Sequence, residues 1–468
     1  MAGWGSCRTG GRCSAGRRRA RGGRAGAVSQ ADAAGAAWTP PAGPLPPPLT
    51  SDAPGTWAHD TMSRRIRSSI LEAQVVEPNR ERLGPAQLAA LAALDAELAA
   101  ANSTALRPIA ADGGPDAGDW AAIMAPHVAS GDTWLSAPWV VAEFYFYRRV
   151  LEALGYFAAG GDGGDPLDPF EAQKLAGLAS AAASIEALAE KLNAAQAGEG
   201  PLGADPEALL KLFVSTALWG NRMDLSLWPA SSAACDASGD RAGDAFAEVL
   251  SKSGEMLLAD DSEAVWRRLE AAIADGGRQV DIVVDNAGFE LVCDLCLGEA
   301  LVAAGAASRV VFHLKGHPTF VSDAMAKDVR GHFAALRADA AERPASAAMA
   351  ARWEALVADG RWELREDFFW AQPTPFWAMP ARLAAGLEAS AMVFVKGDAN
   401  YRRLLGERDW PYATPFREVV CYFAAPVCAL RTLKAEIGCG MPEEKTAAAA
   451  AGDGQWLVSG RYGVIQSC

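Results

Sequence analysis

The sequence predicts an α/β fold, a mostly parallel sheet flanked by helices in a three-layer, Rossmann-like αβα arrangement, preceded by a helical N-terminal domain. Three observations predict it. Val280–Val284, Ser308–Lys315 and Met392–Lys396 are rich in Val, Ile and Phe, which is strand chemistry. Helical apolar spacing lies between them, from Glu290 to Ala304 and from Ala324 to Ala338; strands alternating with helices imply parallel pairing. Finally, the runs lead into oxygen-bearing side chains at Asp285-Asn286, Ser322-Asp323 and Gly397-Asp398. In open α/β sheets ligands bind beyond the carboxyl ends of the strands.

Taken in order, residues 1–55 are low-complexity, Arg/Gly/Ala-rich and then Pro-rich through Pro48. Nothing in them can build a packed core, so they are expected to be disordered. Residues 1–31 hold seven Arg and no acid, a composition open to an organelle transit peptide, an unstructured tail or a wrongly assigned start. Residues 56–275 form the expected helical domain, with apolar three- and four-residue spacing over Pro85–Leu98, Phe170–Leu192, Pro206–Leu218 and Asp244–Ala272. Ala159–Gly164 is glycine-rich, but no strand leads into it, so it reads as a loop and not a phosphate cradle. Residues 276–468 form the expected α/β domain, with a further buried run over Val419–Leu430.

Charge narrows the function. The whole chain carries −14, so the part after the Arg-rich tail carries −21, a poor surface for nucleic acid. A bound phosphate would need a few local cations or a metal. Nine scattered Cys, an odd number at low density, are expected as reduced thiols of an intracellular, cytoplasmic protein, with organelle targeting by the Arg-rich tail as the alternative. No run approaches 18 uninterrupted apolar residues, so no membrane span is expected.

Asp285 and Asn286 place a carboxylate and an amide carbonyl at one strand end, able to ligate one hard cation and leave positions for substrate oxygens. An Asx turn capping the next helix is the plainer reading. Glu290, Asp323 and Asp398 add carboxylates at the same edge and favour a site. His313 and His317 lie on a strand running into Pro318, roughly 13 Å apart along the chain, too far to share a metal. Cys293 and Cys296 sit inside an apolar helix pattern and read as core thiols. Lys396–Arg402 could grip sugar hydroxyls and a phosphate. Arg431-Thr432-Leu433-Lys434 follows a buried run; were a helix to start there, Arg431 and Lys434 would share a face suited to a phosphoryl group.

These motifs together resemble the damage-control phosphatase family, once catalogued only as a domain of unknown function, and within it the acidic-residue methyltransferase-like subfamily (subfamily III). The matching stretches are Leu218–Ser226, Val284–Leu291, Phe312–Asp323, Lys396–Arg402 and Arg431–Lys434, the last resembling an Arg-Thr-x-Lys signature. The resemblance runs from about Trp57–Asp60 to Tyr462–Ile465; it begins before Met62, so Met62 is not expected to be the start. It implies hydrolysis of sugar phosphates such as fructose 1-phosphate and fructose 6-phosphate with Mn²⁺, Co²⁺ or Ni²⁺, and Mg²⁺ as a further candidate. Carried over by motif, Asp285, Asn286 and Asp323 would ligate the metal, and Asp285 and Lys434 would be catalytic. Asp285, Asn286, Glu290, Asp398, Ala399, Asn400, Tyr401, Arg402 and Lys434 would contact substrate. The departures are the N-terminal extension and Gly316, where Ser or a similar residue is expected.

The leading expectation is therefore metal-assisted phosphomonoester hydrolysis of a small sugar phosphate, with Lys434, aided by Arg402, stabilising charge on the transferred group. Water or Asp285 is the attacker; Ala287 stands where an aspartyl-phosphate signature would place a second Asp, which favours water. Protein-glutamate methylation from S-adenosylmethionine is the alternative, weakened because Val284 leads into Asp-Asn and not a glycine loop. A non-catalytic sugar-phosphate binding protein is the third reading, opposed by the intact set of clustered charges.

Overall fold

The computed structural model describes residues 38–158, 166–223 and 254–468. The Ala159–Gly164 loop, Cys7, Cys13, Cys235 and the Arg-rich tail lie outside or largely outside them, as do the side chains of Asn221–Ser226 in the first matching stretch. Among the described residues seven strands form one sheet: β1 Leu257–Asp260, β2 Arg278–Val283, β3 Ala307–Lys315, β4 Trp362–Asp367, β5 Met392–Lys396, β6 Val427–Thr432 and β7 Gly463–Ser467. Their spatial order is β1-β7-β6-β5-β2-β3-β4. Every neighbouring pair is parallel except β6 with β7. From β2 the chain moves outward through β3 to β4, then returns to the other side of β2 as β5. The β2–β5 seam is thus the topological switch point, where connections diverge and a crevice opens.

Register aligns the strand ends at that seam. Val283 of β2 pairs with His313 of β3 and Val395 of β5. Side chains alternate between faces. Met392 and Phe394 join one core with helices Ala182–Gln196, Pro206–Met223 and Phe289–Ala303. Val393 and Val395 join another with the chain from Ala58 to Leu154. The chain ahead of the sheet therefore supplies helices to both faces, and the three-layer α/β architecture follows.

The structure corrects four local expectations. Asp244–Ala272 is not one helix: β1 occupies Leu257–Asp260, and the helix begins at Ser262. Residues 38–55, expected to be disordered, pack on the body: Trp38 is buried, its ring centroid 4.7 Å from that of Phe423. There Leu49 N–H donates to Glu407 O and Ser51 N–H to Leu135 O. No helix starts at Arg431, which lies inside β6. Helices Glu171–Ser180 and Ala182–Gln196 are separated at Ala181.

Candidate active site

The turns after β2 and β3 are zipped together by backbone hydrogen bonds. Ala287 N–H donates to Ser322 O at 2.6 Å, Ala324 N–H to Asp285 O at 2.8 Å, and Lys315 N–H to Ala324 O at 3.0 Å. Asn286 and Asp323 form an isolated antiparallel bridge. The three expected metal ligands are thus brought together by main chain, which fixes them more tightly than side-chain contacts alone. The Phe320–Val321 turn delivering Asp323 is left-handed, with φ 46° and 67°; such values are strained for aromatic and β-branched residues. Phe144 and Tyr147 hold Phe320 at ring distances of 4.6 and 4.8 Å.

Asp285 and Asp323 are both buried. Asp285 Oδ2 accepts from Asn286 Nδ2 at 2.9 Å, while its Oδ1 is buried without a hydrogen-bond partner among the described residues. Burial, then the fields of Asp323 and Glu290, push the Asp285 carboxyl well above the ordinary range against Lys315 and Lys434. Burial likewise raises Asp323, opposed by Lys315, whose Nζ lies 3.1 Å from Oδ2. Crowded, desolvated carboxylates with an unsatisfied oxygen form a site that a cation would relieve. Asn286 Oδ1 accepts from Ser322 Oγ at 2.6 Å and keeps a second lone pair. Among the described residues, no group of three His, Cys, Asp or Glu could enclose a metal alone. Two carboxylates and an amide oxygen fit a hard divalent ion that leaves positions for water or substrate.

These groups floor a cleft of about 680 Å³. Asp285, Asn286, Ser322, Asp323, Asp398, Ala399, Arg402 and Lys434 line it. Other expected contacts sit elsewhere. Glu290 is buried behind Asn286, accepting its Nδ2–H at 2.8 Å, with Lys396 Nζ 3.3 Å from the other oxygen. Asn400 is inside, donating to Val284 O and Lys396 O and facing Lys315 Nζ. Tyr401 points into the core, its hydroxyl donating to Gln466 Oε1 at 2.7 Å. The side chains of Glu290, Asn400 and Tyr401 therefore support the lining from behind. Arg402 lines the cleft, yet Glu143 Oε2 at 2.6 Å and Glu407 Oε1 at 2.5 Å neutralise it. Arg431 is buried and serves Asp398: its Nε donates to Asp398 Oδ1 at 2.7 Å, and Lys434 N–H reaches the same oxygen at 3.2 Å.

The His and Cys expectations can be placed too. His313 Nε2 lies 2.7 Å from Asp281 Oδ1, and His317 Nε2 3.5 Å from Asp116 Oδ2, so each has its own partner. Cys293 and Cys296 are buried in their helix. At Gly316 an added Cβ would meet the Phe368 ring at 2.9 Å and its backbone N at 3.0 Å, which accounts for the glycine.

Sequence reasoning missed the wall facing these strand ends. Thr61–Val76 is a wide π-type helix, and Thr61, Arg65, Ser69, Ile70 and Gln74 line the cleft from it. Arg65 lies over the Trp57 ring, 4.1 Å from its centroid. Trp139, Glu143 and Tyr147 line it from helix Trp139–Leu154. Their four-residue spacing was the available signal, hidden because the helix is buried nearly all round, its charged residues included.

One support is pH-sensitive. Gly288, at φ 72°, donates its N–H to His332 Nε2 at 2.8 Å, which anchors the Asp285–Gly288 turn. Burial depresses His332 to about 4. Between that value and the unfolded value near 6.5 the unfolded chain binds the extra proton. The stabilisation is therefore complete above about pH 6.5 and is lost as pH falls through 4, a change of about 3 kcal/mol. His332→Gln keeps an acceptor but does not titrate. Urea unfolding at pH 7 and pH 4 should show the wild type losing more stability than the variant; equal losses would contradict this role.

The family model described as the damage-control phosphatase ARMT1-like domain matches residues 61–449. The chain belongs to the ARMT1-like damage-control phosphatase family. Damage-control phosphatase ARMT1 of Mus musculus is 32% identical over 340 residues, 71% of this chain and 74% of that protein. The Danio rerio protein of that name is 33% identical over 347 residues, with the same coverage of both chains. The Homo sapiens one is 31% identical over 350 residues, covering 71% and 75%. A solved DUF89 family protein from Pyrococcus horikoshii aligns with a TM-score of 0.44 at 14% identity, over 82% of this chain and 95% of that one. Family membership implies a phosphatase. Among the described residues of this ARMT1-like chain, no helix is long and apolar enough to cross a membrane.

Proposed function

We propose that this chain hydrolyses small sugar phosphates of the fructose 1-phosphate and fructose 6-phosphate type, using a divalent metal held by Asp285, Asn286 and Asp323. The observation that carries the reading is the pair of buried, mutually repelling carboxylates on the floor of a cleft in a phosphatase-family chain. When bound, the metal, with Mn²⁺, Co²⁺ or Ni²⁺ first and Mg²⁺ as a further candidate, supplies positive charge for the phosphoryl oxygens. Lys434 lines the cleft and supplies a cation for charge developing on the transferred group. Asp398, fixed by Arg431, presents an acceptor for a sugar hydroxyl. Arg402 acts by holding Glu143 and not as a phosphate grip, since two carboxylates already bind it.

Phosphate release from a panel of hexose and pentose phosphates, with Mn²⁺ and with EDTA, tests the reading. The expected result is Mn²⁺-dependent release from ketose phosphates that EDTA abolishes. No release from any sugar phosphate, or release indifferent to EDTA, would overturn it.

A further inference from the structure

We propose that Trp139 and Tyr147, on the helix facing the strand ends, determine specificity by donating hydrogen bonds to hydroxyls of the substrate's sugar part. The inference rests on the phosphatase reading above and assigns the wall opposite its metal ligands. Trp139, Glu143 and Tyr147 recur every four residues and face the cleft together, spanning about 12 Å of helix.

Trp139 is 2% exposed, and its indole N–H has no hydrogen-bond partner among the described residues. A buried indole N–H ordinarily has one, and a hydroxyl entering the cleft beside Trp139 would supply it. The ring cannot easily turn away, because the Arg402 guanidinium stacks on it at 3.8 Å. Tyr147 is likewise rigid, packed against Phe146 at 5.1 Å and Phe320 at 4.8 Å. Its contacts among the described residues are made by the ring, leaving the phenol for the cleft. Between the two, Glu143 offers a carboxylate already oriented by Arg402. Two donors flanking an acceptor, carried on aromatic rings, match a row of hydroxyls on a carbon chain. A bare phosphate would engage only the opposite floor, at Lys434 and the metal that Asp285, Asn286 and Asp323 would hold.

Tyr147→Phe removes one donor and keeps the ring, whereas Trp139→Phe removes the indole N–H together with part of the surface under Arg402, so Tyr147→Phe is the cleaner of the two variants. With Mn²⁺ present, kcat and KM for fructose 1-phosphate are measured together with the Ki of inorganic phosphate as a competitive inhibitor. Each variant should lose about tenfold in kcat/KM, mainly through KM, while the phosphate Ki changes less than about twofold. Unchanged kcat/KM, or equal weakening of sugar phosphate and phosphate, would overturn the inference and leave the phosphatase reading standing. A wild type that releases no phosphate would instead remove that reading, and the inference with it. Near-UV circular dichroism confirms that both variants keep the native core.

Discussion

Asp285→Ala should lower metal-dependent phosphate release by about 10³-fold or more, because it removes charge from the one place where two strand ends meet. The isosteric Asp285→Asn separates chemistry from folding. In the metal-free protein the Asp285 carboxyl is held far above its ordinary range by burial and by Asp323 and Glu290. An uncharged amide relieves that repulsion, so Asp285→Asn should be inactive yet unfold at a temperature no lower than the metal-free wild type. Such a pairing, with activity lost and stability kept, marks a residue retained for function. A variant that is both active and less stable would contradict the assignment.

Gly397→Ala should be nearly as damaging, from a residue with no side chain. Gly397 follows β5 and precedes helix Asp398–Leu404 at φ 81°, ψ 172°, a region open essentially to glycine alone and costing an alanine about 1–3 kcal/mol. Its Cβ would also stand 1.9 Å from Asp285 Oδ2. The methyl group and the carboxylate cannot both stay, so Asp285 must swing from the floor of the cleft. Turnover should fall by about 10²-fold or more, and thermal denaturation should show a clear loss of stability. Gly131→Ala is the control: its φ is 72°, but nothing lies within 4 Å of the added Cβ. That variant should lose about 1 kcal/mol and keep full activity. Equal activity losses in the two would show that backbone strain, and not the clash with Asp285, is responsible.

The strands that build the site were legible because their chemistry is local. β2, β3 and β5 are buried over most of their length and read as Val/Ile/Phe-rich runs, interrupted only by polar residues such as Asp281 and His313, which pair with each other. β4 alternates charge along Trp362–Asp367 at the sheet edge, and β1 has four residues; neither carries enough apolar signal to stand out. The Pro-rich segment before Trp57 looked structureless because its order comes from elsewhere, from Trp38 against Tyr422 and Phe423 and from backbone bonds to Glu407 and Leu135.

The site divides in the same way. Asp285, Asn286 and Asp323 follow directly from strand ends, and Asp398 and Lys434 from the turns beside them. Within Asp398–Leu404 the helical turn decides: Asp398, Ala399 and Arg402 face the cleft, whereas Asn400 and Tyr401 fall on its far side. A motif read as a string cannot make that distinction. Arg65, Trp139, Glu143 and Tyr147 come from helices more than a hundred residues upstream of β2. Their approach to the strand ends is a product of tertiary packing across the sheet; the four-residue spacing of Trp139, Glu143 and Tyr147 marks a shared helix face but not what that face meets.

Calorimetric titration of chelator-stripped protein with Mn²⁺ tests most directly whether the crowded carboxylates hold a metal. The wild type should bind one ion, and Asp285→Asn and Asp323→Asn should each lose that binding or weaken it by about 10²-fold or more. Binding of equal strength in all three proteins, or none in the wild type, would contradict the assignment of Asp285, Asn286 and Asp323 as a metal site.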